Sequence, residues 1–189
     1  RLKAGTVLDF ESKPRFDIVV QVDDATMGNT PDALANFGLD VVDLNEAPNT
    51  LALQNPVVNL DENADTTERL KLAEITFLDD ALGANILSVS GRDAGLFELE
   101  GADLFLKAGS VLDFEAQNQY DVSVTIDDAA VGQSPDDSVN YSLSLSDVNE
   151  APTAVNLSNV ISALGEDADT SSRIKVADIT VTDDALGSM

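Results

Sequence analysis

Apolar and polar residues alternate along much of this chain with a period of two. Ala73, Ile75 and Phe77 are separated by Glu74 and Thr76. Tyr120, Val122, Val124 and Ile126 are separated by Asp121, Ser123 and Thr125, and Tyr141, Leu143 and Leu145 by Ser142 and Ser144. Successive side chains of a strand point to opposite faces, so such runs predict strands with one buried and one wet face. Shorter apolar stretches at 86–89, 96–99 and 104–106 are set apart by Gly91, Asp93, Gly95 and Gly101, residues suited to turns. No segment keeps a helical period for more than about two turns. About seven short strands in roughly a hundred residues predict an all-β chain, an antiparallel Greek-key β-sandwich of immunoglobulin-like type.

The pattern returns at a constant offset of 104 residues, from 2 to 106, from 16 to 120 and from 43 to 147. LKAGTVLDFE at 2–11 reappears as LKAGSVLDFE at 106–115, FDIVVQVDDA at 16–25 as YDVSVTIDDA at 120–129, and residues 62–83 as residues 166–187, without a gap. A period this long means one whole domain per repeat. Each copy closes on a joint, DLNEAP at 43–48 and DVNEAP at 147–152, whose proline cannot extend a sheet ladder. The expected division is the last part of one domain at 1–48, a complete domain at 49–152 and the opening of a third at 153–189. The two outer segments are then expected to expose half a core, either complementing one another or remaining mobile. The final GSM resembles a cut or an expression scar.

Composition narrows the chemistry. The 189 residues include 35 acidic and 10 basic side chains, a net charge of −25, which argues against nucleic acid or anionic membrane as a partner. His and Cys are absent, so zinc sites of the usual kind, thiol nucleophiles, His-based triads and disulfides are excluded. No apolar run of membrane-spanning length occurs. What stands out is oxygen. Flexible linkers are rich in Gly and Ser, whereas these joints crowd Asp, Asn and Glu, and more acids recur at strand ends: Glu62, Asp79 with Asp80, Asp113 with Glu115, and Asp127 with Asp128. Like charges gathered at one pole repel unless a hard cation joins them. Calcium, which accepts six to eight oxygens in loose geometry, suits such a set better than magnesium.

Taken in order, the EN element at 62–63, a strand ending in Asp, LDFE, a strand ending in Asp-Asp and the DxNEAP joint resemble the cadherin repeat, in the form found in long bacterial surface proteins. The resemblance covers the whole chain. It implies a calcium-binding joint between consecutive domains, with up to three ions held by both domains and the connector. By this resemblance the first joint takes Asp9, Glu11, Asp43, Asn45, Glu46, Asp79, Asp80, Asn85, Asp127 and Asp128. The second takes Glu62, Asp113, Glu115, Asp147, Asn149, Glu150, Asp183 and Asp184. Relative to the family pattern DxNDNxP, the connector is a residue shorter and carries Glu for the second Asp. The family's DxD is here an adjacent pair, and neighbours on a strand face opposite ways. Fewer than three ions per joint, with dissociation constants of about 10⁻⁴ to 10⁻³ M, are therefore expected.

The resemblance further implies a non-enzymatic, secreted or cell-surface module, an adhesive stalk partnered by calcium and by neighbouring repeats. The alternatives are recognition of a polysaccharide or of a second copy, in which the loop at 27–33 could take part, or a passive spacer in a secreted enzyme. Glu11 and Glu115 as a glycosidase pair are disfavoured, since a chain without Trp has little to offer as a sugar platform. Phe10 and Phe114 are read as core anchors.

Overall fold

Alternation becomes ladder wherever the sequence shows it. The structure, a computed structural model, describes residues 1–28 and 30–184; the GSM ending and one residue of the 27–33 loop lie outside the described residues. Twelve strands are present among those described: β1 Arg15–Val22, β2 Ala33–Asp40, β3 Asn49–Gln54, β4 Asn59–Asp61, β5 Leu70–Leu78, β6 Asn85–Ser90, β7 Phe97–Glu100, β8 Asp103–Leu106, β9 Gln119–Asp128, β10 Asp137–Ser146, β11 Ala154–Ser158 and β12 Asp178–Thr182. One 3-10 turn, Ala94–Leu96, is the helical exception among them, and no described helix is long and apolar enough to cross a membrane.

The strands form two four-stranded sheets, ordered β4-β10-β9-β6 and β3-β5-β8-β7, in a sandwich-like arrangement, and two separate pairs, β1-β2 and β11-β12. By internal contacts the chain divides into two compact units. One comprises residues 1–52, 76–88 and 124–139, the other 53–75, 89–123 and 140–189, so that β3, β5, β6, β9 and β10 run through both. Each unit contains one of the two joints.

The core follows the predicted faces. Tyr120, Val122, Val124 and Ile126 of β9 and Tyr141, Leu143 and Leu145 of β10 are buried. On β5 a bulge between Lys71 and Ala73 resets the alternation, and as a result Leu72 and Ala73 are both inside. Phe97 and Tyr141 meet edge to face, and the Tyr141 hydroxyl donates to the Val57 carbonyl. Where seven strands per domain were expected, residues 49–152 hold eight. The first is divided: β3 pairs in one sheet and β4 runs parallel to β10 in the other, because Asn55 at φ +48 and Pro56 interrupt the ladder.

Two expectations change in detail. Phe10 and Phe114 are half-buried, not core anchors; the LDFE segment is a turn, and the side chain taken into the core there is Leu112. In the outer copies the apolar faces lie open. Val20 on β1 is 54% exposed, whereas Val124, its counterpart one repeat later, is 0% exposed, and Val155, Leu157 and Ile179 on β11 and β12 are exposed in the same manner.

Candidate metal centres

The first joint is assembled from the turn that follows residue 8, the connector 43–48, the loop after β5 and the end of β9. One carboxylate oxygen from each of Glu11, Asp43 and Glu46 lies within 4.8 Å of the other two. The connector is tied to the rest of the unit by its own polar groups. Asn45 Nδ2 donates to Asp128 Oδ2 at 3.0 Å, and the Glu46 N–H donates to Asp80 Oδ2 at 2.8 Å. Asp80 Oδ1 also caps the Leu82 N–H at 2.8 Å, while Asp79 Oδ2 accepts Asn85 Nδ2 at 2.6 Å.

The loop from 79 to 85 reaches this geometry under strain. Ala81 has φ +67, costly for a residue with a Cβ, and Gly83 has φ +72. A Cβ on Gly83 would stand 1.8 Å from Asp128 Oδ2 and 2.7 Å from Asn45 Oδ1. Glycine is what lets this loop close on Asp128.

The second joint repeats the plan. Glu62, Asp113 and Glu115 each bring an oxygen within 4.8 Å of the others. Glu62 is 7% exposed and accepts two backbone N–H groups, from Phe114 at 2.6 Å and Val148 at 2.7 Å, joining the LDFE turn to the connector. The Glu150 N–H donates to Asp184 Oδ2 at 2.8 Å, the bond of Glu46 to Asp80 one repeat on. An open cleft of about 440 Å³ is lined by six carboxylates, those of Glu62, Asp113, Glu115, Glu150, Asp183 and Asp184. Asn149 departs from the plan: it is exposed and its amide donates only weakly, at 3.4 Å, to the Glu150 carbonyl.

Crowding shows in the acidities. Burial, then the charges of Glu11, Asp80 and Asp43, push the Glu46 carboxyl above its ordinary value. Glu150 is raised by burial and by Glu62, Glu115, Asp184 and Asp147, and Asp147 by burial, Glu62 and Asp184. For Glu115 its own backbone N–H pulls downward, but burial and the charges of Glu62, Asp147 and Asp113 outweigh it. Asp128 goes the other way, held below its ordinary value by the Ala130 N–H and the Asn45 amide. Asp9 is also lowered, because the Ser12 N–H and hydroxyl each donate to it at 2.8 Å, so it serves its own turn.

A second group of atoms matters as much as the clusters. The Oδ1 atoms of Asp43, Asn45, Asp79, Asn85, Asp127, Asp136, Asp147 and Asp183 are shut off from solvent and receive no hydrogen bond. Buried acceptors are normally paired; six of these lie around the first joint and two at the second, and within each joint they lack a donor. The ion pairs of Arg15, Arg69, Lys71, Arg92 and Lys175 go elsewhere, to Asp17, Asp40, Glu98, Glu100, Asp103, Asp93 and Asp178. Seven of the eight residues belong to the sets expected from the sequence. Asp136 does not, and the signal that could have found it is the repeat GNTPD at 28–32 and GQSPD at 132–136.

No family model matches the chain. Protocadherin Fat 4 of Mus musculus is 27% identical over 185 residues, 96% of this chain, and that of Homo sapiens 26% over 186 residues; the chain spans 4% of each of these proteins. Among solved structures, the protocadherin gammaB7 EC3-6 cis-dimer superposes with a TM-score of 0.62 at 20% identity, covering 94% of this chain and 41% of that one. Protocadherin gamma B2 extracellular cadherin domains 3-6 give 0.61 at 22% identity, over 93% and 41%. Two sheets of this order and a likeness that runs nearly end to end give one architecture: the chain has the cadherin-like fold.

Proposed function

We propose that this chain is a calcium-binding, non-enzymatic part of a large extracellular protein, in which calcium at 43–48 and 147–152 stiffens the joints of a tandem array that serves cell adhesion. The observation that carries the reading is the set of seven buried, donorless oxygens on Asp43, Asn45, Asp79, Asn85, Asp127, Asp147 and Asp183. The donors fit the ion. Every candidate group is an oxygen of Asp, Glu or Asn, the set a hard cation of high coordination number takes, and no His or Cys is present to favour a softer metal. Glu11, Asp43, Asn45, Glu46, Asp79, Asn85 and Asp127 would hold calcium at the first joint, and Glu62, Asp113, Glu115, Asp147 and Asp183 at the second. Asp80, Asp128 and Asp184 brace the backbone around them. The bound ion supplies positive charge that cancels carboxylate repulsion; the chain supplies the frame.

The shortened DxNEAP connector supports a bacterial surface protein as the parent. Association between copies is the second reading, favoured by the cis-dimer formed by the gammaB7 neighbour and tested by sedimentation with and without calcium. The main test is calorimetric titration of metal-stripped protein with calcium, alongside Glu115→Ala, with the radius of gyration followed by X-ray scattering. Saturable heat, weakened in the variant, and a smaller radius in calcium are expected. No heat and an unchanged radius would overturn the proposal.

A further inference from the structure

Asp136 lies on the turn between β9 and β10, outside the ligand sets given above. Its N–H donates to the Ile126 carbonyl at 3.0 Å, and its Oδ2 accepts the Asp128 N–H at 2.7 Å. The side chain thus stands where a longer ladder would have offered a backbone carbonyl, and it pins the main chain at the last residue of β9. Asp128 is 2% exposed, with Oδ1 on the Ala130 N–H at 2.9 Å and Oδ2 facing Asn45. Its direction is set by the backbone that Asp136 holds. The fit depends on Gly132, at φ +76, since a Cβ there would stand 1.9 Å from Asp136 Oδ1 and 3.0 Å from the Cβ of Ala47 in the connector.

The same clasp occurs 104 residues earlier. Asp32 donates its N–H to the Val22 carbonyl at 3.0 Å and accepts the Asp24 N–H at 2.6 Å, over Gly28 at φ +80. Asp24 lies at neither the 43–48 nor the 147–152 joint, so the clasp forms here with neither connector beside it.

We infer that Asp136 is a positioning residue of the first joint: by holding the Asp128 main chain, it sets the Asp128 carboxylate and its Asn45 partner in place before calcium arrives. The inference rests on the calcium reading of that joint. It separates holding from ligation, since holding needs only an acceptor atom, whereas ligation by a carboxylate uses its charge.

The experiment compares wild type with Asp136→Ala, Asp136→Asn and Asp32→Ala by amide hydrogen exchange in metal-stripped protein and by calorimetric calcium titration. In Asp136→Ala the Asp128 amide loses protection and first-joint affinity falls about tenfold, the equivalent of one charge-assisted hydrogen bond. Asp136→Asn, which keeps an acceptor, retains both protection and affinity. Asp32→Ala exposes the Asp24 amide and leaves affinity unchanged. Wild-type affinity in Asp136→Ala with an unprotected Asp128 amide would overturn the inference, and equal losses in the Asn and Ala variants would make Asp136 a ligand instead. Wild-type protein that takes up no calcium overturns the calcium reading and with it the purpose given to Asp136, while the exchange data still report whether the clasp forms.

Discussion

Removing the Glu62 carboxylate sets two effects against each other that differ in their dependence on calcium. Its oxygens accept the Phe114 and Val148 N–H groups, and in Glu62→Ala both donors lose their partner in a part-buried place. Hydrogen bonds to a charged group contribute about 1.5–3 kcal/mol each, so roughly 3–6 kcal/mol is at stake. Relief of repulsion works in the opposite direction, since Glu62 has carboxylate neighbours within 4.8 Å. Asp113 and Glu115 are themselves exposed, so each of these two pairs costs on the order of 1 kcal/mol in water-like surroundings, about 2 kcal/mol together and too little to reverse the sign. Without calcium, Glu62→Ala should lose about 2 kcal/mol and melt roughly 4–8 °C lower for a chain of this size. Glu62→Gln keeps one acceptor and the same relief, so it should be nearly neutral without calcium. Calcium separates them from wild type: an ion at a hundredfold excess over its dissociation constant adds about 2.7 kcal/mol to a protein that binds it, and both variants forfeit much of that gain. Melting curves of the three proteins, metal-stripped and in millimolar calcium, give the answer. A gap between wild type and Glu62→Gln that stays the same in both conditions would refute a metal role for Glu62, and an Ala variant melting with wild type would refute the hydrogen-bond argument.

Two further outcomes follow from the geometry. Gly83→Ala places a Cβ against Asp128 Oδ2 at a positive φ, so calorimetry should show about a tenfold weaker first joint with the second joint unchanged; an unaltered first joint would mean the loop is free to move aside. The raised carboxyls of Glu46, Glu115, Asp147 and Glu150 mean that the folded, metal-free chain holds protons more tightly than the unfolded one. Their contribution to stability is complete below the ordinary values of 4.5 for Glu and 3.8 for Asp, and is lost as pH rises through the raised folded values. Stripped protein should therefore melt higher near about pH 4.5 than near about pH 7, and calcium, which needs ionised ligands, should invert the order. A profile that calcium leaves unchanged would count against the joint clusters as its origin.

The sheets were legible where their two faces differ chemically. Tyr120 to Ile126 alternate with Asp, Ser and Thr, and that contrast appears directly as the burial of β9. The strands at 49–61 were not legible, because Leu51, Ala52 and Leu53 form a continuous apolar run and the switch between sheets at Asn55–Pro56 depends on backbone angles rather than on a period. The bulge that buries Leu72 beside Ala73 is hidden for the same reason. Of the candidate site, the identity of the acids was readable from their repetition, whereas their division of labour was not. Asp79 and Asp80 lie beyond the end of β5, where strand alternation no longer governs direction: Asp80 bonds the connector, and Asp79 keeps a buried oxygen without a donor. Asp136 was not legible, because an Asp after a Ser-Pro reads as turn chemistry and its reach back to the end of β9 appears only in three dimensions.

On the calcium reading, where the positive charge of this chain goes explains why its joints take help from outside. The bases are few, and three of them are engaged at the strands: Arg69 lies 4.4 Å from the Phe105 ring with Glu98 and Glu100 beside it, Lys71 holds Asp103, and Arg15 bridges Asp17 and Asp40. A Lys or Arg at the joints could have satisfied the buried oxygens permanently, as charged partners do in most proteins. The joints instead combine raised carboxyls and donorless acceptors, with a strained loop at the first, a state that a small, hard cation in the medium would relieve. On the calcium reading, stability at these two places becomes a function of ion concentration through mass action, and at the first joint the Asp136 clasp on the Asp128 main chain keeps the carboxylates within reach while no ion is bound.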